Sequence, residues 1–147
     1  MDRPTRVLLD TNIALDLLLA REPFAADALH IFALGEAGRL ELLLSADAVS
    51  AIFSVVRKNK DSAVAREAVA KLLDLVRLAD LNERSVLRAV ALDFADFEDA
   101  LVAAMAEREN AEVIVTRNVK DFQSSPVPAL APDVFLAAWR ARDAASS

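Results

Sequence analysis

A chain of 147 residues, 55% apolar and with only two glycines, has the size and composition of one compact, helix-rich domain spanning residues 1–147. It has no cysteine and one histidine, His30, which excludes disulfides, thiolate metal sites and a zinc site built on histidines. A reducing, cytoplasmic setting is expected, any metal would be a hard cation held by oxygen, and the net charge of −6 argues against a general nucleic-acid-coating protein.

In chain order, Arg6-Val7-Leu8-Leu9 reads as a buried strand that ends at Asp10. The apolar stretch from Val7 to Leu19 is broken by Asp10, Asn12 and Asp16, so it is neither a signal peptide nor a membrane span. The spacing turns helical from Asn12 to about Arg21, and Pro23 interrupts it. A second helix is predicted from Phe24 to Gly38, with Leu29, Phe32 and Leu34 inside and Gly38 as its stop. Leu40 to Leu44 reads as a strand and Ala46 to Asn59 as a helix ending in Arg57, Lys58 and Lys60. An amphipathic helix follows from Ser62 to Leu75, with Val64, Val69, Leu72, Leu73 and Val76 on one side.

Val76 to Leu81 has the composition of a short strand; Glu83 to Leu92 and Asp96 to Asn110 read as helices. Glu112 to Thr116 is a clear strand, and a last helix runs from Asp133 to about Arg142 after Pro126, Pro128 and Pro132. The core is expected over about residues 6–139, with a flexible C-terminal tail. Alternating strands and helices point to an α/β fold with a mainly parallel central sheet flanked by helices.

In open parallel sheets, ligands bind beyond the carboxyl ends of the strands. Two such ends carry polar residues here: Asp10-Thr11-Asn12 and Thr116-Arg117-Asn118. Asp96 and Asp99, spaced i, i+3, share one face at a helix start, and Asp121 follows Asn118 by one turn. Carboxylates gathered together repel, and Mg²⁺ or Mn²⁺ relieves the conflict while activating water for phosphodiester hydrolysis. Taken one at a time, Asp10 and Asp96 also read as helix caps, and Asn118 and Asp121 as turn residues.

The segments Leu8-Leu9-Asp10-Thr11-Asn12, Asp96-Phe97-Glu98-Asp99-Ala100-Leu101 and Val113-Ile114-Val115-Thr116-Arg117-Asn118 resemble, in this order, the motifs of PIN domains, in particular the bacterial VapC-like branch. The likeness runs from about Val7 to Phe135. It implies a three-layer fold and a Mg²⁺- or Mn²⁺-dependent ribonuclease, with Asp10 and Asp99 as metal ligands. Asn118 holds the position of a further acid, and Thr116 orients the site by hydrogen bonding. It also implies a homodimer and, in toxin–antitoxin pairs, a small protein that blocks the site. Two departures stand out: Ala51 occupies the place of a usual glutamate, and Asn118 that of an aspartate. Asp47 and Asp96 each lie one turn before a key position, and Asp96 is favoured as the compensating acid; Asp121 is the outermost candidate ligand.

Arg117, Thr116 and Lys120 are expected to border the substrate; Arg57, Lys58 and Lys60 read more readily as a solvated helix end. No aromatic platform for bases is evident. Leu15, Leu17, Leu18, Leu19, Phe24, Leu29, Ile31 and Phe32 cover more than one helix face, and contact with another chain or deeper burial would each account for them. His30 reads as partly buried and Trp139 as the anchor of the last helix. The leading functional expectation is therefore a metal-dependent ribonuclease, a hydrolase of RNA acting as the toxin of a toxin–antitoxin pair. A PIN-like RNA- or protein-binding module weakened in catalysis is the second. A phosphoacceptor receiver-like domain ranks last, for want of a suitable Asp and Lys after the later strands.

Overall fold

The computed structural model describes residues 4–146, leaving residues 1–3 and 147 of the expected domain outside it. Its centre is a parallel sheet of β1 (Thr5–Leu9), β2 (Leu40–Ser45), β3 (Arg77–Ala79), β4 (Val113–Val115) and β5 (Ala129–Leu130). The spatial order is β3-β2-β1-β4-β5, with every neighbouring pair parallel. The helices are α1 (Thr11–Leu18), α2 (Ala25–Glu36), α3 (Ala46–Asn59), α4 (Ser62–Leu73), α5 (Glu83–Ala91), α6 (Phe97–Arg108) and α7 (Pro132–Ser146). A 3₁₀ turn spans Val119–Phe122.

Parallel strands need a crossover between them, and each crossover helix covers one face of the sheet. The period of two then divides the strand side chains. Val7, Leu9, Leu42, Leu44, Val113 and Val115 join the core under α1, α2, α3, α4 and α7. Leu8, Leu43 and Ile114 point the other way, against Ala103, Met105 and Ala106 of α6. Ala89 of α5 packs on Ala100 and Ala104 of α6.

Several local signals act as the sequence predicts. Gly38, at φ 77°, closes α2 in a Schellman arrangement: Arg39 N–H donates to the Leu34 carbonyl at 2.9 Å and Gly38 N–H to that of Gly35 at 3.0 Å. One turn earlier Gly35 lies against Leu42 so closely that a Cβ would stand 2.5 Å from Leu42 Cδ1, so a larger residue there would force the buried Leu42 side chain to shift. Trp139 packs on the core, and Arg39 lies over its ring at 4.9 Å.

Elsewhere the fold departs from expectation. Leu29 is 57% exposed rather than inside, Leu34 is only half-buried, Val64 and Leu73 are exposed, and His30 is exposed. Of the eight large residues of the first two helices, Leu15, Ile31 and Phe32 are buried, and Leu17, Leu18 and Leu19 pack against the core. α1 and α2 are thus covered by the sheet, by each other, and by α3 and α7, which uses up more than one apolar face. α7 continues to Ser146, past the expected helix end near Arg142, and is tied by Arg142 to Glu112 at 3.1 Å and by Arg39 to Asp143. β5 is too short and proline-flanked to carry a strand signature, and exists because β4 offers its open edge. Among the described residues no helix is long and apolar enough to cross a membrane.

Leu43 is fully buried between sheet and α6, so Leu43→Ala should cost about 2–5 kcal/mol in equilibrium urea unfolding. Leu87→Ala, at a residue 63% exposed, should stay within about 0.5 kcal/mol.

Candidate functional site

The register of the three central strands fixes the site. Leu9 pairs with both Leu44 and Val115, so the next residues, Asp10, Ser45 and Thr116, emerge level with one another at the carboxyl edge. Asp10 N–H still donates to the Val115 carbonyl at 3.0 Å, which ties its backbone to β4 before the chain turns into α1.

Asp10 is the N-cap of α1, its Oδ1 accepting from Thr11 N–H at 2.8 Å. Its other oxygen, Oδ2, accepts from the Thr116 hydroxyl at 2.8 Å. Thr116 is fully buried, and its Oγ1 in turn accepts from Asn118 N–H at 3.0 Å. The threonine proton is therefore committed to Asp10, and the carboxylate is held in one orientation by two donors from different elements.

α6 brings the second group. Asp96 caps it, Oδ1 accepting from Glu98 N–H at 2.8 Å and Asp99 N–H at 3.2 Å. One turn on, Asp99 is half-buried and its carboxyl is pushed up to about 6, first by loss of solvent and then by the charges of Asp96, Asp10, Asp121 and Glu98. Segments far apart in the chain thus converge on Asp99 with like charge. Asn118 and Asp121 sit exposed at the rim, Asp121 N–H donating to the Asn118 carbonyl at 3.0 Å. Beside this centre lies a cleft of about 290 Å³ lined by Thr11, Ser45, Asp47, Ser50, Ala51 and Glu98, among others. The α3 wall of the cleft, where Ala51 offers no carboxylate, carries Asp47 one turn earlier, and Glu98 of α6 lines the cleft with them. Asp47, Glu98 and the serines had not been assigned to the cleft, which is lined by residues from separate elements, α1, α3 and α6, that only the tertiary structure brings together. Among the described residues no three His, Asp or Glu side chains are close enough to form a ready-made metal cage.

Arg117 takes a different place from the one expected. Its guanidinium points inward to Asp16 of α1, which is 1% exposed: Nη2 donates to Oδ1 at 3.1 Å, and Nε lies 2.9 Å from Oδ2 as an ionic contact without hydrogen-bond alignment. Burial pushes the Asp16 carboxyl up, and Arg117, with Arg21 at 3.9 Å, opposes that shift. Phe24 stacks under the guanidinium at 4.0 Å. In sequence, Asp16 shows only as an acid inside an apolar run; its spacing from Asp10 on one helix is the sole hint of a role. Lys120 is exposed and, like Arg57, Lys58 and Lys60, enters no ion pair among the described residues. Arg57 stands about 16 Å along α3 from the edge where Ala46 begins it.

In the folded protein Asp99 takes up its proton near pH 6, against an ordinary 3.8, so between these values the folded state binds more protons than the unfolded one. Stability contributed here therefore falls as pH rises through that window and is lowest above it. Asp99→Asn is expected to melt at a higher temperature than the parent at neutral pH in chelator, with the difference closing toward about pH 4. A parent that is the more stable at neutral pH would contradict the like-charge convergence.

A family model described as "PIN domain" matches residues 6–120. Among curated proteins, none matches the chain. Among solved structures it is similar to a toxin–antitoxin complex from Klebsiella pneumoniae, at 26% identity and TM-score 0.66, covering 86% of this chain and 97% of that one. It is also similar to VapBC2 from Rickettsia felis bound to a promoter DNA fragment, at 19% identity and TM-score 0.68, covering 86% and 98%. VapC20 of Mycobacterium tuberculosis, a toxin that cleaves the sarcin–ricin loop, matches at 16% identity and TM-score 0.59, covering 74% and 86%.

Proposed function

Because the chain belongs to the PIN-domain family, we propose that it is a metal-dependent ribonuclease, the toxin partner of a toxin–antitoxin pair acting in the cytoplasm. The observation that carries this reading is the convergence of Asp96, Asp10, Asp121 and Glu98 on the raised carboxyl of Asp99, beside an aspartate whose orientation is fixed. Such an arrangement is strained without a cation, and one or two carboxylates plus water are a sufficient donor set for Mg²⁺ or Mn²⁺, with no preformed cage required. Asp10 and Asp99 would hold the ion, which when bound supplies an activated water and offsets charge on the phosphodiester.

The chain's own residues do the rest. Thr116 keeps Oδ2 of Asp10 from rotating, and Asp96 directs Asp99 by anchoring the first turn of α6. Asn118 and Asp121 contribute polar rim groups, in place of a fuller acidic set. Lys120, on the 3₁₀ turn next to Asp121, enters no ion pair among the described residues and is positioned to meet a phosphate. In Arg57, Lys58 and Lys60, α3 carries further positive charge available to an RNA strand.

Relatives in the solved structures include toxin–antitoxin complexes, which supports a small antitoxin protein as partner. For a homodimer, the supporting surface is the outer face of α5, where Leu87 and Val90 are 63% and 68% exposed. A second reading, a binding module weakened in catalysis, is favoured by one observation: position 51, which lines the cleft with Glu98, is an alanine and offers no carboxylate there.

The deciding experiment is cleavage of a mixed RNA pool with Mn²⁺, Mg²⁺ or chelator, beside Asp10→Asn and Asp99→Asn. Metal-dependent cleavage that both substitutions abolish is the expected result. Folded parent protein that cleaves nothing, and whose melting temperature ignores Mn²⁺, would instead leave the binding module. Thr116→Val, which removes the hydroxyl donor, should lower the rate by about 10–100-fold with the fold intact on circular dichroism.

A further inference from the structure

Thr116 and Arg117 are adjacent in the chain, yet they grip α1 at two separate points. Thr116 holds Asp10 at the helix start through its 2.8 Å hydrogen bond. Arg117 holds Asp16, six positions on and nearer the helix end, through contacts of 2.9 and 3.1 Å. The second grip is the unusual one. Asp16 is 1% exposed, and taking a carboxylate that far from water is costly unless a cation accompanies it. Arg117 itself is held from outside by the Phe24 ring at 4.0 Å, so its guanidinium plane is trapped between a carboxylate and an aromatic face. A buried pair of this kind is weak evidence for stability, because a well-packed apolar pair can serve as well. What it supplies is a fixed distance and direction between two elements.

We infer that the Asp16–Arg117 pair is a positioning device for the candidate centre: it locks the segment following β4 against α1, so that the Thr116 hydroxyl meets Asp10 and the Asn118 amide meets Thr116. The short backbone path leaves Arg117 no freedom to move without its neighbour. Thr116 N–H donates to the Leu130 carbonyl at 3.0 Å, which fixes the segment from the β5 side, and Arg117 fixes it from the α1 side. Asn118, φ −107°, makes no side-chain cap at the start of the 3₁₀ turn, and its amide is held instead by Thr116 Oγ1. Arg117 is accordingly a positioning residue that acts through Thr116, and the substrate cation on this segment is Lys120. The consequence for rate rests on the ribonuclease reading; the geometry of the clamp does not.

The test uses the full chain without metal, and reads amide hydrogen exchange by NMR. Thr11 and Asn118 amides report directly, since they donate to Asp10 and Thr116. Arg117→Lys keeps the charge but loses the planar fork. It is expected to speed exchange at Thr11 and Asn118 by about tenfold, with Leu42, Leu43 and Ile114 amides unchanged. Faster exchange throughout, or at the Asp16 end of α1 alone, would make the pair an ordinary stabilising contact and overturn the inference, as would no change in a folded variant. Should Arg117→Lys fail to fold, Phe24→Leu, at a residue 38% exposed, removes the ring and is expected to move the same two amides in the same direction. Leaving both amides at the parent rate would overturn the inference as well. In the cleavage assay, Arg117→Lys should lower kcat with KM unchanged and add no further loss to Thr116→Val; additive losses would count against action through Thr116. A parent that cleaves no RNA removes the ribonuclease reading alone, because the exchange result still decides the clamp.

Discussion

The hydrogen bond from Thr116 to Asp10 joins residues 106 positions apart, and the candidate site depends on it. It forms because β1 and β4 are parallel neighbours in register, Leu9 beside Val115, so that the first residues past each strand meet. Parallel pairing of this kind requires all the chain between them to return to the starting edge of the sheet. Five of the seven helices among the described residues intervene before α6 delivers the chain to β4. The site is in this sense a consequence of topology: two polar strand ends are brought together by apolar pairing beneath them. Val7 and Leu9 are buried on one face of the sheet and Leu8 on the other, so the apolar run beneath Asp10 belongs to the cores on both sides.

Against this apolar frame stands an electrostatic conflict. The raised carboxyl of Asp99 reflects loss of solvent compounded by four neighbouring acids, and a structure selected for stability alone would not collect them. Helix capping reconciles part of the arrangement. Asp10 and Asp96 each accept backbone N–H groups at a helix start, where the dipole favours negative charge. Capping and ion binding are thus compatible uses of the same side chain: Asp10 commits one oxygen to its cap and the other to Thr116, and both contacts sharpen its aim. Asp16 shows the contrasting solution, in which a buried acid is neutralised by a guanidinium directly on top of it. One helix therefore carries an acid left open to the centre at one end and an acid sealed within the protein toward the other.

The distribution of cations follows from the same economy of contacts. Arg6 and Arg77 converge on Glu41, Arg88 on Glu107 and Arg142 on Glu112, away from the acidic edge. Burial alone would raise Glu41, but hydrogen bonds from Arg6 and Arg77 bring it below its ordinary value, which marks a satisfied pair. Lys120 and the group at the end of α3 are among the cations that enter no ion pair within the described residues, and they carry positive charge available to a polyanion even though the chain as a whole has a net charge of −6.

Much of this architecture was legible in the sequence. Strand and helix alternation gave the parallel α/β class, because periodicity is a local property and β1, β2 and β4 are short, mostly apolar runs. Asp10, Asp96 and Asp99 were legible as end-of-element acids for the same reason, and Gly38 as a helix stop because its φ is forbidden to most residues. Three things were decided only by tertiary packing. Leu29, Val64 and Leu73 face solvent because an apolar stripe fixes which residues share a face, while the neighbouring elements fix how much of that stripe is covered. β5 exists only because β4 presents an edge for Ala129 and Leu130 to join. The inward turn of Arg117 depended on Asp16 being sealed 101 positions away, since a guanidinium beside a strand end reads identically whether it faces a phosphate or a buried carboxylate. Local sequence determined which groups lie at the ends of elements; the packing of those elements determined which of the groups look outward.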